Sequence, residues 1–385
     1  GGSLWVWVTN LGIFGMLVCI SDGSWFSFNR KAKAAAATGL LATIFIPSAI
    51  SPFIGNRYDD AMITSDRNLQ VIIVQPNIDP YNKFEAMTQD QQNAILEDQI
   101  RKELDRIRTD STSSPVLIVA PETFTSDIIV GQYERSRTWR RFTSLLSEYP
   151  GVNMLFGASS YEYIASEKRP SHTARHLKDD LWYEAYNSAI MIDGTGRTEI
   201  FHKSKLVVAV EKTPYPAIFC KIDDMLGGVM GRCIGQDEIT LLGVEAADGR
   251  KTPIGSAVCY ESVYGEYYTG YINKGAEAMT IITNDAWWGN TPGYRQHLSY
   301  ASLRAIETRR AIARCANTGI SAIISPDGKI LQPTPWWEPA VIKGQIPLRN
   351  DITFFVAHGD ITGRVCTFIF MLLLLALAVR FVTNR

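Results

Sequence analysis

The residues with the most chemical potential stand directly after short apolar runs. Val116–Ala120 (VLIVA) leads into Pro121–Glu122–Thr123, Ile254–Val258 (IGSAV) into Cys259–Tyr260–Glu261, and Met279–Thr283 (MTIIT) into Asn284–Asp285. Ligands of open α/β sheets bind beyond the carboxyl ends of strands, so Glu122 and Cys259 are expected to meet in one crevice. Lys203 joins them because Phe201 and Leu206 flank Lys203 and Lys205, which suggests that one ammonium points inward. A thiol, a carboxylate and an ammonium form a coherent acyl-transfer set. The thiol must lose its proton to attack a carbonyl, and Glu122 can accept it. The resulting oxyanion is stabilised by a nearby ammonium, and Glu122 can return a proton to the leaving group. Taken singly, the same residues have plainer readings. A free Cys is commonly buried core, Glu122 can cap a turn, and Lys203 can be a solvated surface charge.

Elements must position these groups. Leu69–Gln75, Val116–Ala120, Ala185–Ile192, Ile254–Cys259 and Met279–Thr283 read as strands, and Asn153–Tyr161 and Cys315–Ser325 as extended. Ala86–Arg108 repeats Ile95, Ile100, Leu104 and Ile107 at helical spacing. Further helices are expected over Arg135–Tyr149, after Cys259, and over Tyr294–Arg314. Alternating strands and helices define an α/β class. The stretch Tyr215–Glu238, with Gly227, Gly228, Gly231 and Gly235, reads as a mobile surface loop. Its apolar Met225, Leu226, Val229 and Met230 make it a candidate lid.

The charge is near balance, 38 Lys+Arg against 39 Asp+Glu, which leaves no basic footprint for nucleic acid. Six cysteines in 385 residues are not a disulfide scaffold. Charge is absent from Gly1–Ser21, Ala34–Asn56 and Val365–Val379. A membrane-spanning helix needs roughly 20 apolar residues, so spans are expected at 1–21, 34–56 and 363–382, with Arg364 and Arg380 snorkelling at the last. The competing reading is buried core helices of a soluble protein. Pro47 and Pro52 are expected to end or kink the second span. Arg30, Lys31 and Lys33 make the loop 22–33 basic and hence cytoplasmic. A domain at 57–362 then lies outside, and Arg380 and Arg385 return inside. The chain opens within an apolar stretch, without Met or a charged leader region. It therefore reads as continuing from earlier membrane helices rather than as a signal peptide.

The order of Pro121–Glu122–Thr123, Lys203 and Cys259–Tyr260–Glu261 resembles the nitrilase superfamily. With the flanking apolar segments, it resembles the membrane-embedded apolipoprotein N-acyltransferases of bacterial inner membranes. The likeness runs through Val74–Gln75–Pro76–Asn77–Ile78, Tyr186–Asn187–Ser188 and Asn284–Asp285–Ala286–Trp287–Trp288–Gly289. It continues through Gln296–His297, Arg304–Ala305–Ile306–Glu307 and Asn317–Thr318–Gly319. That resemblance implies a four-layer αββα domain flanked by transmembrane helices, with the catalytic part periplasmic. It implies a phospholipid acyl donor, a diacylglyceryl-modified apolipoprotein acceptor and a thioester intermediate, with no cofactor and no metal. By position, Cys259 matches the nucleophile, Glu122 the base and Lys203 the oxyanion-stabilising lysine. Glu211 and Glu261 match two further carboxylates, one of them orienting Lys203 or the base, and Tyr260 is placed to shape the acyl pocket. Phe84, Asn187, Asn284, Trp287 and Trp288 are substrate-contact candidates. Two departures stand out: Val208–Ala209–Val210–Glu211 replaces a Pro-Phe-Gly-Glu element, and Phe84 replaces a common Trp.

Rival functions are a nitrilase-type amidase acting on a small amide or nitrile, which needs no membrane helix, and a catalytically idle membrane scaffold, which would tolerate loss of Cys259. His172 and His176 have i,i+4 spacing but lack the Glu of a metalloprotease helix. Cys220 and Cys233 flank the Gly-rich stretch, and a disulfide and two free thiols are equally compatible with their spacing.

Overall fold

The structure is a computed structural model that describes residues 2–63, 67–79, 87–109 and 115–383. It divides into two units, one formed by residues 1–63 and 358–385, the other by residues 64–357.

The first unit is helical. It comprises α1 (Gly2–Ser21), the single turn α2 (Ser24–Ser27), α3 (Arg30–Ile63) and a C-terminal helix, Ile361–Thr383. Two stretches, Arg30–Ser51 and Ile361–Thr383, are long and apolar enough to cross a membrane, and Trp5–Ser21 is a shorter apolar helix. None of the two long stretches is buried by protein. This is the reverse of a soluble core helix, whose apolar face is covered. One expectation changes here, and of the two outcomes expected at the prolines the ending of the helix does not occur. The basic residues Arg30, Lys31 and Lys33 lie within the start of α3 rather than in a loop. The helix also runs on through Pro47 and Pro52 to Ile63. A proline removes one backbone bond from the ladder, and a long apolar helix retains the others.

The second unit carries the strands. In chain order they are β1 (Asn68–Gln75), β2 (Val116–Val119), β3 (Thr125–Ile129), β4 (Val152–Ala165), β5 (Arg175–Lys178), β6 (Leu181–Asp193) and β7 (Thr198–His202). They continue as β8 (Leu242–Glu245), β9 (Lys251–Val258), β10 (Ala278–Thr283), β11 (Ile312–Ala316), β12 (Ala322–Ile324), β13 (Ile330–Leu331) and β14 (Ala340–Pro347). One sheet has the order β14-β1-β2-β4-β6-β5, with β3 beside β4 and β7 beside β6; the other has the order β13-β12-β11-β10-β9-β8. The longer helices are α4 (Gln89–Thr109), α5 (Arg137–Ser147), α6 (Pro216–Met225), α7 (Gly265–Asn273) and α8 (Gly293–Thr308), and a short one follows at Phe354–His358.

Strand periodicity sorts the side chains into layers. Leu69, Val71 and Ile73 of β1 face Ile254, Val258 and Ile282 of the second sheet, while Ile72 and Val74 turn the other way onto Leu96, Ile100 and Leu104 of α4 and Phe142 and Leu146 of α5. Tyr268 and Tyr271 of α7 and Leu298, Ala301 and Ala305 of α8 cover the far side of the second sheet. The result is a four-layer αββα sandwich with its main core between the sheets.

Two elements differ from expectation. The helix foreseen over Tyr294–Arg314 stops at Thr308: Arg309 takes a left-handed φ of 53° while its N–H still bonds the Ala305 carbonyl at 2.8 Å. Ile312–Ala316 is instead a wholly buried strand, parallel to β10. The expected loop Tyr215–Glu238 contains α6, which Pro216 opens at the first helical turn. Its return is tied down as well. Buried Asp223 pairs with Arg232 at 2.8 Å, and Arg175 donates to the Gly228 and Met230 carbonyls at 2.6 Å each.

Candidate active site

Each sheet contributes one half of the site. In the first sheet, β2 ends at Val119 and the chain turns through Glu122. That turn lies against Gly157 of β4 so closely that a Cβ there would come within 2.5 Å of Glu122 Cα. Only glycine admits this approach. The antiparallel pair β6–β7 holds Ser188 opposite His202, so Asn187 and Lys203 are the next neighbours. In the second sheet, β9 and β10 run parallel with Val258 beside Ile282. Cys259 therefore follows β9 next to Thr283, the last residue of β10. Cys259 has φ 53°, a strained left-handed value for a non-glycine residue, and opens a short 3-10 turn, Cys259–Val263.

Lys203 is 1% exposed, and its Nζ lies 3.2 Å from Glu122 Oε1 and 2.9 Å from Glu211 Oε1. Asn187 Nδ2 donates to the same two oxygens at 2.8 and 2.6 Å. Glu122 Oε2 accepts the backbone N–H of Asn284 at 3.1 Å, and Glu211 Oε2 that of Val207 at 2.8 Å. Glu211 thus occupies the place beside Lys203 although the turn Val208–Ala209–Val210 departs from the family pattern. Glu261 does something else. Fully buried, it accepts the N–H groups of Val258, Ser204 and Lys205 at 2.8, 2.7 and 3.0 Å, tying the Cys259 turn to the Lys203 turn.

The electrostatics follow from burial. Desolvation pushes the Cys259 thiol up, the Glu122 charge pushes it further, and Lys203 and Thr283 only partly offset them. The resting sulfur is a thiol beside a carboxylate. Burial alone would lower the Lys203 ammonium, but Glu122, Cys259 and Glu211 outweigh it and hold Lys203 above the ordinary lysine value. A second thiol, Cys233, is pushed up to about 11 by burial and by Glu211.

A second buried cluster adjoins Cys259. Asp285 accepts Thr283 Oγ1 at 3.0 Å, His297 Nδ1 at 2.9 Å and Arg314 Nη2 at 2.8 Å. Burial raises this carboxyl, and Arg314 and His297 outweigh that and hold it well below the usual carboxylate range. Thr283 Oγ1 also lies 3.2 Å from Cys259 Sγ. The backbone carbonyl of Cys259 accepts Ser262 Oγ at 2.8 Å and lies 3.1 Å from His297 Nε2. No linear spacing announces this group. Its members come from a strand end, a turn, a helix and a strand that was expected to be helical.

The remaining candidates are dispersed. Phe84 lies outside the described residues. Asn284 is buried and accepts from Asn317 Nδ2 at 3.4 Å. Trp287 and Trp288 are exposed, as is Tyr260, whose ring meets Tyr264 edge-on at 5.4 Å. Cys220 and Cys233 are free thiols. His176 lies on β5, not on a helix, and its Nε2 bonds the Asp179 carbonyl.

A four-layer αββα fold with a cysteine, two carboxylates and a lysine at the strand ends defines the class. The sequence profile of the carbon-nitrogen hydrolase family matches residues 117–350, and the chain belongs to that family. Among curated proteins it is 30% identical to the apolipoprotein N-acyltransferase of Chlorobaculum tepidum over 330 residues, 83% of this chain and 59% of that one. It is 28% identical to the apolipoprotein N-acyltransferase of Brucella suis over 353 residues, 89% of this chain and 60% of that one. The chain thus spans less than two thirds of the length of these relatives. Among solved structures, Saccharomyces cerevisiae Nit3, of branch 10 of the nitrilase superfamily, shares the fold with a TM-score of 0.50 and 16% identity, covering 77% of this chain and 96% of Nit3.

Proposed function

We propose that the protein is a membrane-anchored N-acyltransferase that moves a fatty acyl chain from a phospholipid to the N-terminal amine of a diacylglyceryl-cysteine in a lipoprotein. The observation that carries this over hydrolysis of a small amide is the joining of the thiol site to helices of membrane length in one chain. The names of the relatives favour the same reading. The orientation that goes with it places residues 57–362 on the periplasmic side of the inner membrane, with 1–21, 34–56 and 363–382 as spans and 22–33 cytoplasmic.

In this mechanism Glu122 takes the proton of the Cys259 thiol, and the sulfur attacks the ester carbonyl of the phospholipid. Lys203 stabilises the tetrahedral oxyanion, while Glu211 and Asn187 keep Lys203 and Glu122 in register. Collapse breaks the carbon–oxygen ester bond, and the departing lysophospholipid oxygen takes the proton back from Glu122. The neutral amine of the acceptor then attacks the thioester, Glu122 removes an amine proton, and carbon–sulfur cleavage releases the amide. Asn284, Trp287, Trp288, Tyr260 and Phe84 are assigned to substrate contact. The test is mass spectrometry of the Cys259 peptide after incubation with phospholipid vesicles. An acyl adduct on Cys259 is expected; an unmodified Cys259 together with release of ammonia from small amides would favour the amidase instead.

A further inference from the structure

We propose that Thr283 is the hydroxyl that solvates the Cys259 thiolate, turning to it from a resting bond to Asp285; this rests on Cys259 being the nucleophile. Strand pairing of Val258 with Ile282 sets the two residues side by side. Thr283, fully buried, has Oγ1 3.2 Å from Cys259 Sγ and 3.0 Å from Asp285 Oδ1. A hydroxyl has one hydrogen and can serve only one of these acceptors at a time. Asp285 is ionised beside Arg314 and can only accept. With a neutral thiol, the hydrogen belongs to the carboxylate, because a charge-assisted bond is the stronger one. The thiol hydrogen is then free to point at Glu122.

Transfer of that hydrogen to Glu122 creates a second anion within reach of the same hydroxyl. Rotation about the Thr283 carbon–oxygen bond delivers its hydrogen to the sulfur, and Thr283 itself gains and loses no proton. Asp285 is not stranded by the turn. Its Oδ1 keeps His297 Nδ1 at 2.9 Å and its Oδ2 keeps Arg314 at 2.8 Å. No buried carboxylate oxygen is left unsatisfied, which is the usual cost of such an exchange.

Asp285 also reaches the other side of the nucleophile. It holds His297 through Nδ1, and Ser262 Oγ stands between that ring and the nucleophile, 3.1 Å from His297 Nε2 and donating to the Cys259 carbonyl at 2.8 Å. Asp285 and His297 are therefore positioning residues for the strained Cys259 turn, whereas Thr283 touches the reacting atom. Gly319 leaves the room this requires, since a Cβ there would come within 2.2 Å of Asp285 Oδ2.

The experiment follows alkylation of Cys259 by iodoacetamide between about pH 6 and pH 10, with the full chain in detergent and the Cys259 peptide quantified by mass spectrometry. The groups that act on this thiol are Glu122, Lys203, Thr283 and Asp285. Loss of one hydrogen bond to a charged group in Thr283→Val should displace the rising rate profile by about one unit to higher pH and slow alkylation near pH 7 about three- to fourfold. Thr283→Ser keeps the hydroxyl and should follow the wild-type curve. Thr283→Ala replaces the Val variant where that fails to fold. A hydroxyl-free variant that superimposes on wild type overturns the proposal, as does a Ser variant that follows it. Failure of the nucleophile assignment is a different result, namely acyl transfer that survives Cys259→Ala.

Discussion

Lys203 donates its backbone N–H to the Asn187 carbonyl at 2.7 Å, and the side chains of the same two residues converge on the same two oxygens, Glu122 Oε1 and Glu211 Oε1. Two donors and two carboxylates close a ring whose geometry is set by strand register. A one-residue slip would send either side chain to the opposite face. Asn187→Leu should therefore cost about 1.5–3 kcal/mol of stability by removing donation to charged groups. It should also slow thioester formation. Thermal melting and the lipid reaction, measured on the same preparation, check both halves.

Lys203→Met removes the one ammonium between two carboxylates. An uncompensated buried charge costs about 3–5 kcal/mol, so the variant should be destabilised as well as inactive. Lys205 is the control: it is exposed and lies 4.9 Å over the Tyr267 ring. Lys205→Met should retain activity. An inactive Lys205 variant beside an active Lys203 variant would reassign the oxyanion cation.

Cys259→Ala should abolish acyl transfer and Cys259→Ser should nearly do so, because a serine hydroxyl is far harder to ionise than a thiol. Initial rates against both substrates should give parallel lines, as a covalent intermediate requires. Intersecting lines would mean that both substrates are bound at once.

Acid should weaken the catalytic unit in two stages. Burial drives the His202 imidazole down from 6.5 to about 4. The folded state therefore refuses a proton that the unfolded state accepts, and stability present above pH 6.5 is lost as the pH falls towards 4. Asp285, also depressed, adds a loss that begins only near its unfolded value of 3.8. Melting temperatures across this range should fall in that order, and His202→Asn should flatten the first stage alone.

Protease added from the periplasmic side should reach the 57–362 domain and leave Arg30 and Lys31 intact. The basic start of α3 motivates this orientation. Cleavage of the domain from the cytoplasmic side only would reverse the topology and remove access to an exported acceptor.

Glu122 and Cys259 were legible because apolar strands stop abruptly at polar residues, a pattern that local sequence preserves. Glu211 was visible only through resemblance, since its turn carries no chemical signal of its own. The Asp285 cluster was not legible. Arg314 is a charged residue in a buried strand, contrary to any strand pattern, and its partners are distant in the chain. Arg309 hid the end of α8, because a left-handed arginine is a tertiary outcome rather than a propensity. Glycines around α6 masked a ten-residue helix opened by Pro216. Strands β7 and β8 were missed because they are short, and the pair Glu199 and Lys251 beside them reads as surface charge.

The Glu261 carboxylate has a mechanical consequence. By holding the backbones that carry Cys259 and Lys203, and by accepting Tyr267 as well at 3.2 Å, it ties thiol and ammonium to one frame. Widening the site for a bulky substrate therefore cannot proceed by spreading these two groups. The chain beyond Leu206 is not held by this carboxylate, and Tyr215, Ile218, Met225 and Leu226, in and beside α6, are exposed. Under the proposed acyl transfer, the spacing of thiol and ammonium is therefore expected to stay constant from one acyl chain to the next, and chain length to be accommodated elsewhere.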